Sequence, residues 1–140
     1  DDTLDGGLGF DLVRYDRNNV GAVNVDLAAG TATGVWGGVA FSDSLTRVQG
    51  SRDDADSLAG SDASNYIRGS DAILGRGGDD ILIGEEGDDS IDGGIGYDRA
   101  EYWDLNQGDA TITALSAGGG PSCLGTGNGC ADRGRGARVL

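Results

Sequence analysis

The sequence predicts an all-β chain, a parallel β-roll (β-solenoid) of nonapeptide repeats with irregular and β segments at its flanks. Three observations predict it. Glycine recurs on a nine-residue frame, the acid is almost all aspartate, and one apolar residue holds a fixed place in each unit. Nine residues are too few for a helix and its return, so a unit reads as a six-residue turn and a three-residue strand.

The units at residues 75–83, 84–92 and 93–101 run without a gap. Gly stands at positions 1 and 4 of each. Asp80, Asp89 and Asp98 stand at position 6, and Leu82, Ile91 and Ala100 at position 8. The frame extends upstream to residues 60–68, with Asn65 and Ile67, and more loosely to 51–59, with Asp56 and Leu58. Between Arg68 and Gly75 only a shortened unit fits, with Gly69, Asp71 and Ile73 at positions 4, 6 and 8. At the N-terminus Asp2 and Leu4 end one unit, and Gly6, Gly7, Gly9 and Asp11 start another. A longer period lies over this one. Gly6-Gly7-Leu8-Gly9-Phe10-Asp11 recurs as Gly93-Gly94-Ile95-Gly96-Tyr97-Asp98, an offset of 87 (93 − 6), which also carries Tyr15 onto Tyr102 and Val25 onto Ile112. The chain reads as one large unit and the start of a second, cut from a longer array.

Alternation within a strand turns position 8 inward and positions 7 and 9 outward. Successive turns then fall on opposite edges, and units two apart stack on the same edge. The expected core is one thin row per sheet: Ile67, Ile73, Leu82, Ile91 and Ala100. Such a row is too small to order the chain alone, and stacked aspartates oppose it.

Composition points to the missing term. There are 21 Asp against 3 Glu, with 28 Gly, 1 Pro, no His, no Lys and a net charge of −14. Asp with Gly makes turns rather than helices. Such turns offer short carboxylates and backbone carbonyls, the donors that hard cations such as Ca²⁺ take. Folding is therefore expected to be coupled to the cation. The lack of His excludes a His-dependent triad or a His metal site within the chain. The negative charge disfavours nucleic acid. No apolar run of membrane-spanning length and no signal-peptide pattern occurs. The absent initiator Met and the start in mid-turn suggest a processed or truncated chain.

The three contiguous units resemble the RTX (repeats-in-toxin, haemolysin-type) family, whose signature is G-G-x-G-x-D-x-U-x. They depart from it at position 2, where Arg76 and Glu85 replace Gly. The resemblance implies a Ca²⁺ between same-edge turns, held by carbonyls of positions 2 and 4 and the Asp of one turn, and by carbonyls of positions 1 and 3 and the Asp of the next. One site would then use Arg76, Gly78, Asp80, Gly93, Ile95 and Asp98. A second would use Gly69, Asp71, Gly84, Glu86 and Asp89, short of one carbonyl through the deletion. A third would pair Asn65 with Gly75, Gly77 and Asp80, weakened by the lost charge. The resemblance also implies type I export and folding outside the cell, in a bacterial secreted or cell-surface protein.

The remaining segments are less specific. The chain divides as 1–16, the end of a preceding block; 17–50, a β-rich connecting or capping segment; 51–101, the calcium-binding β-roll; and 102–140, the start of a second unit and a Gly-rich tail. Residues 20–33 alternate as a strand. Trp36, Phe41, Tyr102 and Trp103 read as plugs for the ends of a thin solenoid or as a sugar-stacking face. Asp79 and Asp88, at position 5, read as solvated. Cys123 and Cys130 read as a small-loop disulfide suited to an extracellular chain. Arg133, Arg135 and Arg138 form a basic tail.

The function expected is a non-catalytic calcium-binding module. Its rivals are an adhesive or lattice element that self-assembles, and a targeting module of a secreted enzyme with an extracellular protein or glycan partner. No nucleophile–base pair or spaced acid pair is visible.

Overall fold

The computed structural model describes residues 2–17, 19–34, 37–41, 45–51, 54–69, 71–85, 89–101, 111–113 and 122–124. Among them all regular structure is strand: β1 (Asp2–Leu4), β2 (Leu12–Arg14), β3 (Val23–Asp26), β4 (Thr31–Gly34), β5 (Gly37–Phe41), β6 (Arg47–Gln49), β7 (Asp56–Ala59), β8 (Tyr66–Arg68), β9 (Asp71–Leu74), β10 (Ile81–Ile83), β11 (Ser90–Asp92), β12 (Arg99–Glu101), β13 (Thr111–Thr113) and β14 (Ser122–Leu124). No helix among the described residues is long and apolar enough to cross a membrane.

The strands form two sheets. One runs β1-β5-β4-β3-β7-β9-β11-β13 and the other β14-β12-β10-β8-β6-β2. From β6 to β12 consecutive strands alternate between sheets, so each sheet takes every second unit. This is the β-roll that the nine-residue frame predicts. Neighbours in a sheet lie about 4.8 Å apart, so each coil adds one strand spacing to each sheet.

Register explains the core. In one sheet Val48 pairs with Ile67, Ile67 with Leu82, and Leu82 with Ala100. In the other Val25 pairs with Leu58, Leu58 with Ile73, and Ile73 with Ile91. All eight side chains are buried in one cluster. The five expected core residues are among them, and the rows continue upstream through Leu58, Val48 and Val25. The shortened unit also appears. Only two residues separate β8 from β9, so this connection lacks the six-residue turn. Parallel pairing survives because the deletion falls wholly in the turn.

Two features differ from the simple pattern. Residues 20–33 are not one strand. β3 carries the alternation, with Val23 and Val25 buried and Asn24 exposed. The chain then turns at 27–30, where the Asp26 carboxylate accepts the Ala29 N–H at 2.9 Å. β4 and β5 continue as an antiparallel meander, and β5 takes β1 as a parallel edge partner. Second, Ile83 at position 9 is 2% exposed although it faces outward. Its register neighbours are Arg68 and Glu101, and the aliphatic stems of such long side chains shield apolar surface. Phe41 packs against the core, as a plug would. Trp36, Tyr102, Trp103, Cys130 and the three tail arginines lie outside the described residues.

Candidate metal centre

The turns at 75–80 and 93–98 stack one coil apart, joined by a parallel bridge between Gly77 and Ile95. Each needs left-handed backbone at positions 2 and 4. Gly78, Gly94 and Gly96 have φ of 91°, 82° and 149°, values open to Gly at little cost. Arg76 takes the same conformation, with φ 75°, and Glu85 does so in the neighbouring unit, with φ 62°. Such values are strained for a non-Gly residue. The two departures from the repeat signature thus keep its backbone. Gly75 serves a different purpose. A Cβ there would lie 2.4 Å from Asp80 Oδ2 and 2.4 Å from the Gly93 carbonyl oxygen. Position 1 is glycine because carboxylate and carbonyl converge on it.

The Asp80 side chain is the centre of this arrangement. Asp80 is 1% exposed. Its Oδ1 accepts the Asn65 N–H at 2.7 Å, and the Asp98 Oδ1 accepts the Asp80 N–H at 3.1 Å. Each carboxylate thereby bonds the backbone of the preceding coil. Asp80 Oδ2 has no hydrogen-bond partner and is buried. A buried orphan acceptor is costly, and here it faces the carbonyl of Gly93, a second acceptor. Burial, aided by the negative charges of Asp98 and Asp79, pushes the Asp80 carboxyl up to about 7, against the opposing Asn65 N–H. Asp98 is raised as well, first by burial and then by Asp79 and Asp92. A buried carboxylate oxygen without a donor, set beside a carbonyl, fits a cation and opposes a bare carboxylate.

The side chains alone do not make a cage. Among the described residues no three acidic, His or Cys side chains converge on one point. Any metal here must take backbone carbonyls, and close turn contact supplies them. The Arg76 carbonyl lies 2.1 Å from where a Cβ on Gly94 would sit, and the Gly78 carbonyl 1.8 Å from the corresponding point on Gly96. Hence Arg76, Gly78 and Asp80 are brought against Gly93, Ile95 and Asp98. The Arg76 carbonyl accepts the Ile95 N–H at 2.7 Å.

The other two expected groups fare differently. Gly69, Gly84 and Asp89 are described, and Asp89 is buried with its Oδ2 2.3 Å from where a Cβ on Gly84 would sit. Glu86 and Asp88 lie outside the described residues, and Asp71 is described in its backbone alone. Asn65 is buried, and the Gly75 carbonyl and Asn65 Oδ1 both lie 2.4 Å from the Cβ point of Gly60. Gly77 donates to the Ser61 carbonyl. Unlike Asp80 Oδ2, however, Asn65 Oδ1 already accepts the Ser61 N–H at 2.7 Å.

Three polar roles escaped the sequence pattern. Asp56, 3% exposed, accepts the Val23 N–H, the Ser51 N–H and the Ser51 hydroxyl. Asp79, though exposed, accepts the Tyr97 N–H at 2.9 Å and so clamps the two stacked turns. The Arg76 guanidinium donates to both carboxylate oxygens of Asp26, at 2.8 and 2.6 Å. That contact holds the Asp26 carboxyl below its usual range. The shared position 6 of Asp56 and Asp80 in their units was a usable signal. The partner of Arg76, fifty residues away, had none.

The family model of the RTX calcium-binding nonapeptide repeat matches residues 1–13 and 67–100, in four copies. No curated protein matches the chain. RTX nonapeptide repeats bind Ca²⁺, the ion type that the donors around Asp80 suit. Over those two spans the sequence is similar to RTX calcium-binding nonapeptide repeats, and their strands belong to the two sheets of the parallel β-roll.

Proposed function

We propose that this calcium-binding module is non-catalytic and is folded by Ca²⁺ outside the cell, as part of a secreted or cell-surface protein. The observation that carries the reading is Asp80 Oδ2, buried, unpartnered and set against the Gly93 carbonyl. Arg76, Gly78, Gly93 and Ile95 would offer carbonyls, and Asp80 and Asp98 carboxylates, to one ion. Gly69, Asp71, Gly84, Glu86 and Asp89 would serve a second. Asn65, with Gly75, Gly77 and Asp80, would serve a third and weaker one. The bound ion supplies positive charge between stacked carboxylates, and its binding energy becomes folding energy. Extracellular calcium is high, which suits export of an unfolded chain through a type I system and folding on arrival. Circular dichroism in EGTA and in millimolar Ca²⁺ tests the reading. Strand content should rise with calcium; equal content in both would sink it.

A second reading is an adhesive or lattice element. The 87-residue duplication favours it, because a longer array would continue the same coils. Size-exclusion chromatography separates the two, since a monomer with and without calcium argues against assembly.

A further inference from the structure

We propose that the coils of β3 to β8 form a calcium-independent seed on which the calcium-dependent coils from Gly75 onward are built, and that Arg76 is the built-in cation joining the two. The proposal rests on the calcium reading of the 75–98 turns and divides the roll more finely than that reading does.

The first support is how the buried acid is satisfied. In the seed, Asp56 takes three protein donors, the N–H groups of Val23 and Ser51 and the Ser51 hydroxyl. On the opposite edge the equivalent of Asp80 is Asn65, a neutral side chain whose oxygen accepts the Ser61 N–H. Its amide nitrogen reaches Ser61 Oγ at 3.3 Å and the Thr46 carbonyl at 3.5 Å. In the coil before that, Thr46 holds the same place. This edge of the seed therefore stacks Thr46 on Asn65, where the later coils stack Asp80 on Asp98. Thr46 Oγ1 is buried without a partner but neutral, so among the described residues the seed has no stacked carboxylates for a metal to neutralise.

The core is also uneven. Val23, Val25, Leu27, Ala32, Leu45, Val48, Leu58 and Ile67 belong to the seed, with Val20, Val39 and Phe41 packed against them. β9, between the two parts, contributes Ile73, and the coils from Gly75 onward contribute Leu82, Ile91 and Ala100 to the same cluster. The β3–β4–β5 meander adds antiparallel pairing between neighbours in sequence, which closes small loops rather than whole coils. The family match, at 1–13 and 67–100, overlaps this region only at Ile67 and Arg68 of β8.

Arg76 spans the boundary. It stands in the first complete turn after the seed, where the repeat signature has Gly, and accepts a left-handed φ of 75° to do so. Its guanidinium grips the Asp26 carboxylate of β3 through two nitrogens, and NH1 also donates to the Gly60 carbonyl at 3.0 Å. Gly60 is position 1 of its unit, as Gly93 is of its own. The Gly93 carbonyl faces an orphan carboxylate oxygen; the Gly60 carbonyl receives a cationic N–H instead. The residue that offers its carbonyl to the calcium-side turn is thus anchored, through its side chain, to the seed.

Hydrogen exchange followed by mass spectrometry, on the full chain in EGTA and in millimolar Ca²⁺, tests the division. In EGTA, peptides covering β3 and β6–β8 should stay protected while those covering β10–β12 exchange as an unfolded chain. Calcium should protect both. If EGTA releases both halves together, the seed is refuted and calcium-driven folding stands. If both stay protected in EGTA, the seed and the calcium-driven folding fall together. Arg76→Asn tests the joint, because Asn tolerates left-handed backbone. The calcium midpoint for protecting β10–β12 should rise roughly fivefold, the loss expected of a partly exposed ion pair, with the seed unchanged. An unaltered midpoint removes Arg76 from the proposal.

Discussion

Replacing Asp80 by Asn separates the two demands made on that side chain. Without calcium the carboxylate is a liability: it is buried, one oxygen lacks a donor, and its carboxyl is raised to about 7 from an ordinary 3.8. A raised carboxyl contributes stability that is fully present below the unfolded value and lost as pH rises through the folded one. The calcium-free roll should therefore be most stable in mild acid and should weaken between about pH 4 and pH 8. At about 1.36 kcal/mol per unit, the charged form costs no more than about 4 kcal/mol. Asp80→Asn removes that charge and offers an N–H₂ toward the Gly93 carbonyl. In EGTA at pH 8 the variant should be more stable than the parent, and the difference should vanish by about pH 4. In millimolar Ca²⁺ the order should reverse, because a ligand is gone. Urea unfolding followed by circular dichroism reads both, with trimethylamine N-oxide added where the calcium-free parent has no folded baseline. A variant less stable than the parent in EGTA at pH 8 would refute the reasoning.

Other expectations follow from the same geometry. Calcium affinity should fall as pH drops from 8 to 6, because protons compete for the raised Asp80 and Asp98 carboxyls; calorimetry showing a flat profile would contradict this. Gly75→Ala places a methyl 2.4 Å from both Asp80 Oδ2 and the Gly93 carbonyl, so its calcium midpoint should rise tenfold or more, on the order of 1.4 kcal/mol. Gly77→Ala meets nothing nearer than 3.5 Å and should leave the midpoint close to that of the parent in the same titration. Leu82→Ala, in the centre of its row, should cost about 2–5 kcal/mol in calcium-saturated urea unfolding.

The repeating part of this protein is legible because backbone geometry forces it. Position 4 is left-handed in the stacked turns and must be Gly, position 8 must be apolar because it faces the row, and Asp56, Asp80 and Asp98 each bond the coil below. Those demands are local and recur, so Asp80, Asp98, Leu82 and Ile91 could be placed by counting. Departures from local demand were harder to see. Arg76 and Glu85 look like lost glycines, yet they keep the left-handed turn at a cost in strain. The partner of Arg76 is Asp26 in another coil, and nothing in the spacing connects them. The meander was hidden for the opposite reason. Residues 23–27 and 31–33 alternate on either side of Ala28-Ala29-Gly30, and alternation alone does not distinguish one strand from two that fold back. Asn65 was legible as a weakened carboxylate but not as a side chain already satisfied by Ser61.

The central claim is that a calcium ion stands between the 75–80 and 93–98 turns and answers the orphan oxygen of Asp80. A crystal grown in calcium, with anomalous difference density measured at long wavelength, tests it most directly. The account predicts an ion peak bonded to Asp80 Oδ2 and to carbonyls of the two turns. Density without a peak there, with Asp80 Oδ2 accepting a protein N–H or O–H instead, would contradict it.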